Sequence, residues 1–314
     1  MLCSGVCGQE LARGYFTRAI ASSRLSHAYL LVGPEGVGKR RFAEELAAAL
    51  LCREGLCREG SLEGACGSCV SCRSLVSGNH PGFLCLAPQA GKLIEISRIR
   101  QTIKELSLRV GERRVVIFDD VEQLSLEAGN ALLKTLEEPP PEILFLLVTS
   151  HPAQLLSTIH SRCHRVPFAP LSPEQFYEAL GTPRAELDVY PDLHQASGGS
   201  PGRALRLLQG IEECQGLARI QELLAGKGWE RPEVLVDHLP PRAKESKREH
   251  AIRLLELLLD VSLGERSAQV NERFAADQRA LHLAGLIRDL RGNQNPELIF
   301  EELGQLLRPP RTLS

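Results

Sequence analysis

One heptapeptide constrains the fold more than any other part of the chain: Gly33-Pro34-Glu35-Gly36-Val37-Gly38-Lys39. It follows a short apolar run, Ala28–Val32, and opens a stretch, Lys39–Leu51, in which Phe42, Leu46, Ala49 and Leu50 share one helical face. A glycine-rich turn between a buried strand and a helix is the setting of a phosphate-binding loop. Its glycines let backbone N–H groups turn inward around an anion, the helix N-terminus adds positive potential, and the lysine reaches the outer phosphates. Gly33, Gly36, Gly38 and Lys39 are therefore candidate nucleotide-binding residues.

The next position carries a defect. Such a loop is normally followed by Ser or Thr, whose hydroxyl ligates Mg²⁺; here the residue is Arg40. A guanidinium has no acceptor, is always charged, and would sit where a divalent cation belongs. The other half of such a site is a strand ending in an acid for the metal and an acid to activate water. Val115–Phe118 (VVIF) is followed by Asp119 for the first role and Asp120 for the second. Two acids at a strand end can equally cap a helix or be solvated; their place after VVIF favours the nucleotide site. Asp120 is one methylene shorter than the usual Glu, and a displacement on the order of an ångström can cost ~10²-fold. Weak or absent hydrolysis is expected.

The same alternation continues beyond the loop. Ala128–Glu138 reads as a helix stopped by Pro139, Pro140 and Pro141, and Ile143–Val148 (ILFLLV) as another buried strand. Strand and helix in turn over the first ~170 residues predict an α/β fold with a parallel sheet covered on both faces. After Pro170 strand signals stop. Ser172-Pro173-Glu174 is a helix start, Ser197–Pro201 a loop, and Gly202–Gln209 a short helix. Leu254, Leu255, Leu258 and Leu259, then Leu283, Leu286, Ile287 and Leu290, mark successive helices, and Asn295-Pro296 opens a last one carrying Leu298, Leu303, Leu306 and Leu307. Such stripes mean an ordinary helical core.

Ten cysteines in a long chain without an export signal point to metal rather than disulfides. Cys57, Cys66, Cys69 and Cys72 cluster with spacing suited to tetrahedral structural zinc, with Cys52 as an alternative first ligand; free thiols or a redox pair are the other readings. A net charge of −2 argues against a chain whose whole surface binds nucleic acid. No apolar run reaches the ~20 residues that span a bilayer, and the N-terminus does not read as a signal peptide, so a cytoplasmic location without membrane partners is expected.

Longer segments carry a family resemblance. Arg24–Lys39 (RLSHAYLLVGPEGVGK), Asn130–Pro140 (NALLKTLEEPP), Thr149–Cys163 with its terminal Ser-Arg-Cys, and the spacing and placement of the cysteines resemble the clamp-loader branch of the AAA+ family, most closely its delta-prime type in bacterial DNA polymerase III. The likeness covers roughly residues 5–210. It implies an AAA+ P-loop domain over 1–170 with a four-cysteine zinc insertion at about 52–80, a small helical lid domain over 171–210, and an all-helical collar over 211–314 that joins the oligomer.

The resemblance also implies roles. Arg162 would be an arginine finger acting in trans on ATP held by a neighbouring subunit, and Thr149 would sense nucleotide. The lid position that carries an arginine in active relatives is Gly202 here, with Arg203 one residue on. The implied partners are gamma/tau and delta subunits, the sliding clamp, and primed DNA through the assembled complex. The implied task is ATP-dependent clamp loading without ATP hydrolysis by this subunit alone. The rivals are a competent gamma/tau-type ATPase and a zinc-dependent nucleic-acid protein with a decayed loop; 4% aromatic residues and the net acidity count against the latter.

Overall fold

Successive side chains of a strand point to opposite faces, so a strand apolar at every position must be covered on both sides. The computed structural model describes residues 6–54, 64–88, 93–107, 113–181, 193–214, 217–224, 245–264, 270–291 and 295–307. Within them the chain divides into two units, Met1–Gln175 and Phe176–Ser314.

The first unit holds five parallel strands: β1 (Ala28–Val32), β2 (Phe83–Leu86), β3 (Arg114–Phe118), β4 (Ile143–Thr149) and β5 (His164–Pro167). Their order across the sheet is β2-β3-β4-β1-β5. Every residue of β1, β3 and β4 is buried. Tyr29, Leu31, Val115, Ile117, Leu144, Leu146 and Val148 pack on one face with Phe16 and Leu46, from helices α1 (Glu10–Ala21) and α2 (Lys39–Leu51). The alternate residues Leu30, Val116, Phe118, Phe145 and Leu147 pack on the other with Ile99 and Leu132. Those two come from α4 (Ile96–Ser107) and α5 (Leu126–Glu137), while α3 (Val70–Val76) lies between α2 and β2 in the chain. The short α6 (Ser157–His160) precedes β5, and α7 (Pro173–Leu180) follows it.

Local chemistry sets several boundaries. Ser125 caps α5 by accepting from the Ala128 N–H at 3.2 Å, and the helix ends one residue before Glu138, ahead of the three prolines. The edge strands β2 and β5 lack the continuous burial of the central three.

The second unit, which begins within α7, is helical among the described residues: α8 (Leu193–Ala196), α9 (Pro201–Glu213), α10 (Leu217–Leu224), α11 (Lys247–Gly264), α12 (Val270–Arg291) and α13 (Pro296–Leu307) follow. Ser200 caps α9 by accepting from the Arg203 N–H at 3.3 Å. A Cβ on Gly210 would come within 2.7 Å of Leu257, so α9 and α11 are closely packed at that point. Leu254, Leu255, Leu258, Leu283, Leu286, Ile287, Leu290 and Leu303 are buried as their stripes predict, whereas Leu298 is exposed. No helix of the described residues is long and apolar enough to cross a membrane.

β1 delivers the chain into a tight space. Phe168 N–H donates to Val32 O at 2.7 Å, and Gly33 N–H lies 3.4 Å from Thr149 O, so the loop begins wedged between the ends of β4 and β5. A Cβ on Gly33 would sit 2.4 Å from the carbonyl oxygen of Phe168, which as backbone has little room to retreat. Gly33→Ala should destabilise the first unit by about 1–3 kcal/mol, read as a lower denaturant midpoint at unchanged slope.

Candidate functional site

In an open parallel sheet the carboxyl ends of the strands share one edge, where ligands characteristically bind. Here that edge carries the loop after β1, Asp119 and Asp120 after β3, and Thr149 at the end of β4. Gly36 and Gly38 have φ of 76° and 100°, left-handed values that L side chains rarely adopt and that turn the loop toward α2. Gln9 braces it from outside. Its amide nitrogen donates to Ala169 O at 2.8 Å and its oxygen accepts from Ala169 N–H at 3.1 Å, while the nitrogen also lies 3.4 Å from Val37 O.

Lys39 is buried and occupied. Its ammonium donates to Gly33 O and Pro34 O, both at 2.7 Å, and to Ser150 Oγ at 2.9 Å, a set equal to its three hydrogens. Burial lowers its pKa, opposed by Glu122, Asp120, Glu35 and Asp119. A phosphate entering the loop would therefore compete with the loop's own carbonyls.

Arg40 bridges two acids. Its Nε donates to Glu44 Oε1 at 2.9 Å and its Nη1 to Asp119 Oδ2 at 3.1 Å. The bond to Glu44 holds the guanidinium more firmly protonated, against burial, with Asp119 adding to the effect. The acid read as a metal ligand thus has a side-chain cation on it. Burial still raises Asp119 above its ordinary value despite Arg40. Asp120, with a left-handed backbone (φ 46°), is pushed up to about 6 by burial and by the charges of Asp119, Glu122 and Glu35.

Glu122 is a site residue that spacing did not single out. Its Oε1 accepts from Ser150 N–H and from His151 Nδ1, both at 3.1 Å. Burial works to raise it, but these bonds, its own backbone N–H and the Thr149 hydroxyl prevail and hold it below the usual range. Thr149 is fully buried and accepts from the His151 N–H at 3.1 Å. Glu44 was legible as the i+4 partner of Arg40; Gln9 and Ser150 meet the loop, and Glu122 meets Ser150 and His151, across long stretches of chain that leave no local pattern.

Arg162 stands at the opposite edge. It lies two residues before β5 begins, and α5 returns from the carboxyl edge to bring Glu137 beside it. Its Nη1 donates to Thr158 O and Ser161 Oγ, both at 3.1 Å, and its Nη2 donates to Glu137 Oε1. In the second unit, Arg203 donates from Nε to Asp260 Oδ1 of α11 at 2.7 Å, which commits that side chain to packing α9 on α11.

Four sulfurs converge at the far end of α2. Those of Cys52, Cys66, Cys69 and Cys72 lie within 4.8 Å of one another, with Cys52–Cys69 at 3.9 Å and Cys66–Cys72 at 3.8 Å. Zinc–sulfur bonds of about 2.3 Å in a tetrahedron require sulfurs about 3.8 Å apart, so the set fits that ion. Cys57, the expected first ligand, lies outside the described residues; the thiol placed with the other three is that of Cys52. Backbone N–H groups point at the sulfurs. Cys69 accepts from Cys72 N–H at 3.4 Å, which lowers it to about 6, and Cys66 is lowered by Ser68 and by the N–H of Cys69. Burial pushes Cys72 up to about 12, the penalty a cation among four thiolates would remove. The cluster is tied to the body of the unit. Gly82 N–H donates to His80 Nδ1 at 3.0 Å, which leaves the ring proton on Nε2 to meet Ser71 Oγ at 2.7 Å, and Ser71 donates to Leu51 O at 2.6 Å.

A family model described as DNA polymerase III, delta subunit, matches residues 8–172. The DNA polymerase III subunit delta' of Pseudomonas aeruginosa is 40% identical over 196 residues, covering 60% of this chain and 58% of that protein. Its Escherichia coli counterpart is 37% identical over 205 residues, covering 62% and 59%. The gamma/tau subunit of Mycobacterium tuberculosis is 34% identical over 214 residues, covering 65% and 36%. The chain thus spans less than two thirds of the length of these curated relatives. A gamma subunit-related protein of Thermotoga maritima superposes with a TM-score of 0.49 at 21% identity, covering 95% of this chain and 98% of that one.

The carboxyl edge has a calculable pH signature. Because Asp120 titrates near 6 in the fold and near 4 unfolded, the folded state binds the extra proton between those values, and stability falls as pH rises through that window. Asp120→Asn keeps a residue tolerant of the left-handed backbone and removes the charge. It should raise stability by about 1 kcal/mol above pH 7, after allowance for solvent screening, and leave it unchanged at pH 4. Thermal midpoints of both proteins across that range check it.

Proposed function

The chain belongs to the DNA polymerase III delta-subunit family, in its delta-prime branch, and from that membership we propose that it helps an ATP-driven loader place a sliding clamp on primed DNA without hydrolysing ATP itself. Its partners in this reading are gamma/tau and delta subunits, with the clamp and primed DNA reached through the assembled complex. Its first unit is the AAA+ body, followed by a lid to about residue 210 and a collar beyond it.

The observation that carries the reading is the bond from Arg40 to Asp119. Hydrolysis by a phosphate loop needs a divalent cation held by an acid at the end of the third strand, to neutralise charge on the transferring phosphoryl group. Here a guanidinium holds that acid, and the residue replacing the usual hydroxyl ligand is its source. The occupied Lys39 and the short Asp120 act in the same direction. The rival, a competent gamma/tau-type ATPase, draws on the intact glycines and Lys39 and on the 34% identity to a gamma/tau subunit. It requires turnover of Mg-ATP by the purified chain, abolished by Lys39→Ala.

Arg162 is the contribution to catalysis elsewhere. It stands at the amino edge of the sheet, and β1, at about 3.3 Å per residue, separates it from its own loop by roughly 15 Å. That edge is the wrong one for serving a nucleotide in the same chain and a suitable one for reaching a neighbour's γ-phosphate. The four sulfurs of Cys52, Cys66, Cys69 and Cys72 hold structural zinc in this reading, since an all-thiolate tetrahedron leaves no open position.

Two experiments test these assignments. In a loader reconstituted with gamma/tau and delta subunits, Arg162→Ala should lower clamp- and DNA-stimulated ATPase roughly tenfold or more without loss of assembly; unchanged ATPase refutes the finger. The purified chain should carry one equivalent of zinc by elemental analysis. Cys52→Ser should lose it, whereas Cys57→Ser should keep it.

A further inference from the structure

The side chain that holds Arg162 has no role in anything described so far. We propose that Glu137 is the positioning residue for Arg162, fixing the guanidinium so that its remaining donors are presented to a nucleotide phosphate on a neighbouring subunit. This rests on the reading of Arg162 as an arginine finger.

The hydrogen-bond inventory of the guanidinium supports it. Thr158 O and Ser161 Oγ both accept from Nη1, and Glu137 Oε1 accepts from Nη2. Among the described residues no acceptor lies on Nε–H, and Nη2 keeps a second hydrogen. The group therefore keeps donors on Nε and Nη2 for phosphate oxygens while both of its terminal nitrogens are held by protein acceptors.

Stability does not explain the pair. The side chains of Arg162 and Glu137 are 32% and 49% exposed, and exposed ion pairs contribute little to folding. What the carboxylate can do is restrict rotamers. The two local bonds come from the same short turn as Arg162 and move with it. Glu137 belongs instead to the last turn of α5, whose Leu132 and Leu136 are buried in the core. His27 Nε2 lies 3.1 Å from Leu136 O, a carbonyl the helix end would otherwise leave open, and three prolines fix the exit of the chain. The anchor is therefore fixed independently of the finger's own turn. Glu138, the adjacent carboxylate, is exposed and makes no bond to Arg162, which supplies a control of equal charge.

The test uses the reconstituted loader with gamma/tau and delta subunits, sliding clamp and primed DNA, and reads kcat and KM for ATP. Glu137→Ala should lower kcat about tenfold with little change in KM, the cost of returning rotamer freedom to an arginine that acts in the transition state. Glu137→Gln, which keeps an acceptor oxygen, should recover much of the rate, and Glu138→Ala should keep all of it. Adding Glu137→Ala to Arg162→Ala should cause no further loss, because a residue acting only through Arg162 has nothing left to position.

A low rate for Arg162→Ala with a normal rate for Glu137→Ala overturns the positioning role and leaves the finger standing. A normal rate for Arg162→Ala removes both. Equal losses from Glu137→Ala and Glu138→Ala, an additive double variant, or a faster Glu137→Ala loader would each reject the proposal.

Discussion

Burial of both faces of β1, β3 and β4 is the constraint from which the first unit follows. Strands apolar at every position must be covered above and below, and crossover helices that cover both faces make the strands parallel. Parallel strands all point one way, so their carboxyl ends collect the glycine-rich loop, Asp119, Asp120 and Thr149 at one edge. The amino ends collect Arg162 and the last turn of α5 at the other. Nothing in the local sequence of either set requires this segregation; it is a consequence of strand direction.

Within the carboxyl edge, electrostatics is settled internally. Lys39 satisfies its hydrogens on the loop and on Ser150, and Arg40 spans Glu44 and Asp119. An active nucleotide site leaves its cations and acids waiting for a phosphate and a metal, and that is costly without ligand. Here most charges already have protein partners. Asp120 is the exception: it is partly buried among acids, raised to about 6, and held in a left-handed backbone.

How much of this was legible depended on whether the determinants were local. The central strands could be read from AYLLV, VVIF and ILFLLV because double burial writes a continuous apolar run. The edge strands could not. β5 reads His-Arg-Val-Pro, with one buried residue, and the four residues of β2 are mostly half-buried. The loop, its Arg40 and the two acids were visible as a motif and its departures. Gln9, Glu122 and Glu137 were not, because each acts on a residue far away in the chain and carries no periodic mark. The cysteines show the limit of spacing. Cys52 and Cys57 both precede Cys66 at workable distances, and only the fold puts the Cys52 sulfur beside the other three.

That sulfur sits at a particular place on α2. The helix begins at Lys39, the last residue of the glycine-rich loop, and its C-cap is Cys52. Thirteen residues at about 1.5 Å each make a strut of roughly 20 Å between the two. Ser71 accepts from His80 and donates to Leu51 O, which pins the strut at the cysteine end as well. A rod fixed at its base has few degrees of freedom at its tip, so the stiffness of the loop is set partly from below, by a cluster that never touches it. The cysteine cluster is in this sense a foundation: it limits how far the loop can tilt, independently of any charge the loop carries.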